Sequence, residues 1–141
     1  MRLHIITYKY FILSLTFLII SSCSDSILQS LRKSLSEANK AKIYFNKKGT
    51  DEAKTITIDN VQDVQSIIYS ITDEDAEFYK CDYTGSIEFF DRNKSLSNME
   101  FNLEPDCLHI RFQHQDIMFA KKISEEGIKL LTKYYYKTHN K

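Results

Sequence analysis

The chain has 141 residues, with 19 basic and 19 acidic side chains that cancel to a formal net charge of zero. That length holds one domain around a single core, and the charge balance gives no electrostatic basis for nucleic-acid binding. With three glycines, one proline and no repeat or low-complexity tract, an internal linker is excluded as well.

The first element in chain order is an apolar run of ten residues, FILSLTFLII at 11–20. Arg2 and Lys9 precede it, and no acid occurs before Asp25. A helix needs about 20 apolar residues to cross a bilayer core, so the run is too short to span. A basic start, a short apolar centre and small residues at the end make up a secretory signal peptide. The run ends in Ile20-Ser21-Ser22-Cys23. An aliphatic residue, two small residues and a cysteine in this position resemble the lipobox of bacterial lipoproteins. The resemblance covers residues 1–23. It implies that the signal peptide, 1–22, is removed, that the Cys23 thiol carries diacylglycerol, and that the new amine is acylated. Two chains suffice for stable anchoring at about 0.8 kcal/mol per buried CH₂. Residues 23–141 are thus expected to form one domain, tied to a membrane by its N-terminal lipid. Ser24 stands where an inner-membrane retention signal often has Asp. By the same resemblance the protein belongs in the bacterial cell envelope, with the outer membrane favoured over the inner and the domain facing the periplasm or the cell exterior.

Within that domain, Ile27, Leu28, Leu31, Leu35 and Ala38 have helical spacing over 25–40, with Ser24 or Asp25 as N-cap. KIYF (42–45) and KTITID (54–59) read as a hairpin joined by a loop containing Gly49. Asp59 or Asn60 caps a second helix bearing Val61, Val64, Ile67, Ile68 and Ile71, and the acidic tract 73–77 ends it as a solvated turn. Four strands follow, at 78–90, 98–103, 107–113 and 117–123. Their short polar links favour an antiparallel meander. Ser124 caps a last helix whose apolar side holds Ile128, Leu130, Leu131, Tyr134 and Tyr135.

The hydrophobic pattern also predicts a register. With the DRNKSLS loop centred near Lys94, opposed residues sum to about 188. Phe89 then faces Met99, Ile87 faces Phe101 and Gly85 faces Leu103, which puts the apolar residues on one face. Two pairs further, Cys81 falls opposite Cys107. With Cys23 taken by lipid, these are the remaining pair of cysteines in an oxidising compartment, and a disulfide between them is expected. Pro105 is placed to interrupt the ladder before Cys107.

Few residue constellations carry chemistry. Cys81 or Cys107 with His109 suggests a thiol nucleophile and base, against a structural disulfide beside a surface histidine. His109 and His114 are five residues apart, an odd separation that puts them on opposite faces of a strand. Asp73, Asp75 and Glu77 alternate like the start of a calcium loop, but Phe78 stands where its glycine is required. Glu100 and Glu104 lie on the polar face of one strand without a sign of a pocket. No metal ligand set or cofactor motif is present. Aromatic content is what stands out: seven tyrosines and seven phenylalanines follow residue 23. Tyr44, Tyr79, Tyr83 and the run Tyr134-Tyr135-Tyr136 exceed what one core absorbs, and Tyr134 and Tyr136 are expected to contact a partner.

The expected fold is α+β in two layers: a mostly antiparallel sheet, made of the four-stranded meander plus the N-terminal hairpin, with helices packed on one face. The Cys–Gly–aromatic meander followed by KKISEEGIKLL is loosely similar to small lipoproteins of low-GC Bacteroidota, a similarity that brings no function with it. Two functions remain open. One is a non-catalytic envelope lipoprotein binding a protein or glycan partner, of the accessory, inhibitor or immunity type. The other is a small envelope thiol hydrolase using Cys81 and His109.

Overall fold

In the computed structural model, alternation in the strands decides the architecture. The described residues are 26–46, 53–77 and 81–139. The expected signal peptide, Cys23, the caps Ser24 and Asp25, the Gly49 loop and the start of the 78–90 strand at 78–80 lie outside them. Strands β1 (Lys40–Asn46) and β4 (Gly85–Asp91) bury every second side chain. Ala41, Ile43, Phe45, Ile87 and Phe89 point inward from them, and Met99 and Phe101 of β5 (Lys94–Asn102) and Ile110 and Phe112 of β6 (His109–His114) continue the same buried layer. With β2 (Ala53–Ile58), β3 (Ile71–Asp75) and β7 (Ile117–Ile123), they form one seven-stranded sheet ordered β2-β1-β4-β5-β6-β7-β3. All six pairings are antiparallel. The class is therefore α+β, and the hairpin and the meander lie side by side through β1 and β4.

Three α-helices among the described residues supply the second layer. Helix α1 (Ile27–Ser34) is capped by Ser26, whose Oγ accepts from the Gln29 amide at 3.2 Å; α2 (Val61–Tyr69) is capped by Asn60, whose Oδ1 accepts from Asp63 at 3.1 Å. Helix α3 (Glu125–His139) starts at Ser124, whose Oγ accepts from the Gly127 amide at 3.3 Å. Such caps satisfy amides that the first helical turn leaves without partners. Leu28 and Leu31 of α1, Val64, Ile67 and Ile68 of α2, and Leu131 and Tyr134 of α3 join the strand residues in one core. No helix among the described residues is long and apolar enough to cross a membrane.

Two expectations need correction. The acidic tract is not a turn that ends the second helix. That helix stops at Tyr69, Ser70 is its C-cap, and Ile71–Asp75 pairs with β7 as an edge strand. Opposite charges across the pairing account for this. Lys121 Nζ donates to Asp75 at 2.6 Å and to the Asp73 carbonyl at 3.0 Å, and Lys122 Nζ reaches Glu74 at 2.8 Å. The bond from Lys122 holds the Glu74 carboxyl below its ordinary value. Exposed acids on an edge also discourage pairing with another chain.

The β4–β5 register differs by two residues from the expected one. Gly85 pairs with Phe101, Ile87 with Met99 and Phe89 with Ser97. The hairpin closes tightly between Asp91 and Lys94, with Arg92 at positive φ, and the ladder shifts around Leu96. Asn39 braces the turn, donating to Asp91 and accepting from the Arg92 amide, each at 3.0 Å. A shift of two keeps every side chain on its face, so the buried set is unchanged although each partner differs.

Gly85 sits where three strands crowd. A Cβ there would lie 2.2 Å from the Tyr44 carbonyl oxygen and 2.7 Å from Cζ of Phe101. Gly85→Ala is expected to cost about 1–3 kcal/mol through overpacking, seen as a lower denaturant midpoint at unchanged slope.

Candidate functional site

The sheet face opposite the helices carries polar and aromatic side chains. Lys40, Lys42 and Tyr44 of β1, Phe90 of β4, and Glu100 and Arg111 of β5 and β6 are all half-buried rather than buried. Among the described residues, three cations lie over aromatic rings on this side: Lys40 over Phe90 at 5.3 Å, Lys42 over Tyr44 at 4.9 Å, and Arg111 over Tyr83 at 4.5 Å. Such contacts hold flexible cations in fixed places. Arg111 is fixed further by two hydrogen bonds to Glu100, its neighbour across the ladder, one of them 2.9 Å from Nε.

One corner of this face is closed by two short segments, 81–84 and 103–108. Cys81 and Cys107 meet there in a disulfide, with Cα atoms 6.5 Å apart, within the usual range. The pair is the expected one, but the expected register does not make it. Strand β4 begins at Gly85, β5 ends at Asn102, and Cys107 sits in a 3-10 turn, Pro105–Cys107, so the ladder includes neither cysteine. Side chains draw the segments together instead. The fully buried Asn102 donates from Nδ2 to the Asp82 carbonyl and accepts at Oδ1 from the Glu104 amide at 2.7 Å, while Thr84 Oγ1 accepts from Leu103 at 2.9 Å. Thus Glu100 and Glu104 belong to separate contacts, one held by Arg111 and the other at the start of the turn.

His109 needs correction as well. It is not a surface histidine: the residue is 2% exposed. Nδ1 donates to the Cys107 carbonyl at 2.7 Å, and Tyr83 packs edge-on against the ring at 5.8 Å. A thiol mechanism needs a thiolate and a free base near it. Here the Cys81 sulfur is bonded to Cys107, and one ring nitrogen of His109 is committed to a carbonyl. His114 lies on the helix face, with Nε2 3.0 Å from Ser30 Oγ, so the two histidines do point apart. Among the described residues, no three His, Cys, Asp or Glu side chains gather as a metal site would require.

The tyrosines expected to act together do not. Tyr134 is 6% exposed and belongs to the core, its hydroxyl donating to Asp63 of α2, whereas Tyr136 is 57% exposed. Two residues apart on a helix, they lie about 200° around the axis from each other. Tyr134 is therefore no partner contact but a bridge between α2 and α3. Tyr135, between them, stacks on His139 at 4.0 Å and meets Phe45 edge-on at 5.5 Å. Among the described residues, the surface aromatics that share a face are Tyr44, Tyr83 and Phe90. Their signal in the sequence was alternation: Tyr44 is out of phase with Ile43 and Phe45, as Phe90 is with Phe89.

No family model matches the chain, and neither a curated protein nor a solved structure matches it.

Tyr134→Ala should lower stability by about 3–5 kcal/mol, in the range for large aromatic truncations, while Tyr136→Ala stays within about 0.5 kcal/mol. Burial, and then the bond to Asp63, push the Tyr134 phenol up to about 12 from its ordinary value of 10.0. The folded chain keeps a proton there that the unfolded chain releases, so stability falls as pH rises from about 10 towards about 12. Tyr134→Phe should remove that part of the slope in alkaline unfolding curves.

For the disulfide, peptide mapping without reduction should return Cys81 and Cys107 in one bridged fragment. Two freely alkylated thiols in protein from its native compartment would contradict the bond. Replacing both by Ser should cost roughly 3 kcal/mol by the loop-closure estimate.

Proposed function

We propose that this chain is an envelope lipoprotein, anchored through Cys23, whose folded domain binds a protein partner and carries out no reaction itself. The observation that carries the binding reading is the helix-free sheet face, where Lys40, Lys42 and Arg111 are paired with Phe90, Tyr44 and Tyr83. Tyr and Arg dominate protein interfaces because they offer large, well-oriented area with a polar end. The mixture of Lys and Arg with Glu88 and Glu100 on the same face suits a surface of mixed charge better than a glycan. Anchoring rests on the Ile20-Ser21-Ser22-Cys23 pattern after a ten-residue apolar run.

The test uses the full chain expressed in a bacterial host that acylates lipoproteins. Labelled fatty acid should enter the natural protein, and Cys23→Ala should abolish its incorporation. Photo-crosslinking in intact membranes should trap a protein partner, and the pair Lys42→Ala and Tyr44→Ala should reduce the yield at least tenfold at unchanged melting temperature. Loss of a 2 kcal/mol anchor corresponds to about thirtyfold in affinity. Crosslinking that ignores these two changes, or glycan-coated beads that retain the chain while no protein is trapped, would overturn the protein-binding reading.

A further inference from the structure

We propose that the β6–β7 hairpin tip is a second membrane contact, with Ile117 and Met118 seated in the lipid surface that holds Cys23; the inference rests on the anchoring proposed above. Ser26, the cap of α1, follows Cys23 by three residues, and three residues reach at most about 11 Å. The start of α1 must therefore stay close to the bilayer in a lipidated chain. One turn into that helix, Ser30 Oγ lies 3.0 Å from Nε2 of His114, the last residue of β6. This bond sets the hairpin tip beside the anchored end of the helix.

The tip is suited to such a contact. Gln115 and Asp116 both have positive φ, at 50° and 64°, the tight two-residue turn whose twist matches its strands. Immediately after it, Ile117 is 59% and Met118 44% exposed. Among the described residues, the other exposed large apolar side chains are Val61 and Tyr69 on α2 and Tyr136 on α3, none of which adjoins another in sequence. Single exposed apolar residues need no explanation. Two in succession on a rigid tip, beside a lipid attachment, have an available apolar phase. In the meander, the β4–β5 turn emerges at the same end of the sheet, with Arg92 and Lys94 exposed. The acids Asp91 and Asp116 offset these cations, so the contact is apolar rather than electrostatic.

The chain contains no tryptophan, which makes a clean probe possible. Met118→Trp and Ile117→Trp each introduce one reporter at the tip, and Tyr136→Trp introduces a control on α3. Each full-length variant, purified after acylation, is placed in vesicles of phosphatidylethanolamine and phosphatidylglycerol with and without brominated acyl chains. The tip reporters should emit at shorter wavelength than the control and lose most of their intensity to brominated lipid, while the control loses little. Intact mass decides separately whether Cys23 carries lipid. A lipidated protein whose tip reporters are quenched no more than the control would overturn the hairpin contact and leave the anchoring intact. A protein without lipid at Cys23 would overturn both.

Discussion

One-sided burial is the constraint on which the rest of this molecule depends. A strand alternates its side chains strictly, so a sheet that buries one face must sort every residue by parity. In β1, β4, β5 and β6, Phe45, Phe89, Phe101 and Phe112 all face the helices and are fully buried; Asn102 and His109, of the other parity, are buried only where the disulfide-closed corner covers them. Phe45 and Phe101 meet edge to face at 5.7 Å, an arrangement aromatic rings favour. The room for that contact is kept by Gly85, between the Tyr44 carbonyl and the Phe101 ring. Three helices then need only present Leu, Ile and Val to a surface already made. Their ends are settled by Ser26, Asn60 and Ser124 rather than by the packing.

Freedom on the other face follows from the same sorting. Lys42, Tyr44, Phe90, Glu100 and Arg111 can be long, charged or aromatic because nothing in the core requires otherwise. Closure of its corner is a separate device. The sheet ladder stops at Asn102, and a fully buried amide at the end of a strand needs partners. Asn102 finds them in Asp82 and Glu104, and in doing so it draws together the two segments that the disulfide then joins. Backbone and side-chain hydrogen bonds therefore position the cysteines, and the covalent bond secures an arrangement already favoured.

The same physics explains which parts could be read from the residues alone. Helix starts were legible from Asn60 and Ser124, and strand faces from alternation in IYF, IEFF and MEF. Pairing partners were not, because a register shift of two leaves that alternation untouched; only the tight turn at Arg92 and the irregularity near Leu96 select it. Strand β3 was hidden by its composition. Five residues containing three acids argue against a strand, and Lys121 and Lys122, which reverse the balance, lie some 50 positions away. His109 followed the polar parity of β6 as expected, but parity assigns a face and not an exposure; the segments that cover it come from elsewhere in the chain. Tyr134 was assigned to a partner surface although its place in the core was legible. It stands three residues after Leu131 and seven after Gly127, on the buried stripe of α3, and helical geometry alone separates it from Tyr136.

Anchor, tip and open face have one geometric consequence in common. The β4–β5 and β6–β7 turns lie at one end of the sheet, and the disulfide-closed corner lies at the other, where β5 ends and β6 begins. With Cys23 and the β6–β7 tip both at the bilayer, as proposed, the strands run away from the membrane rather than along it. The helix-free face then stands upright, open sideways to a neighbour on the same membrane, and the disulfide occupies the end farthest from the lipid. A cross-link between 81–84 and 103–108 adds to the bonds that Thr84 and Asn102 already make there, because it joins covalently two segments that lie outside the strands and border the face.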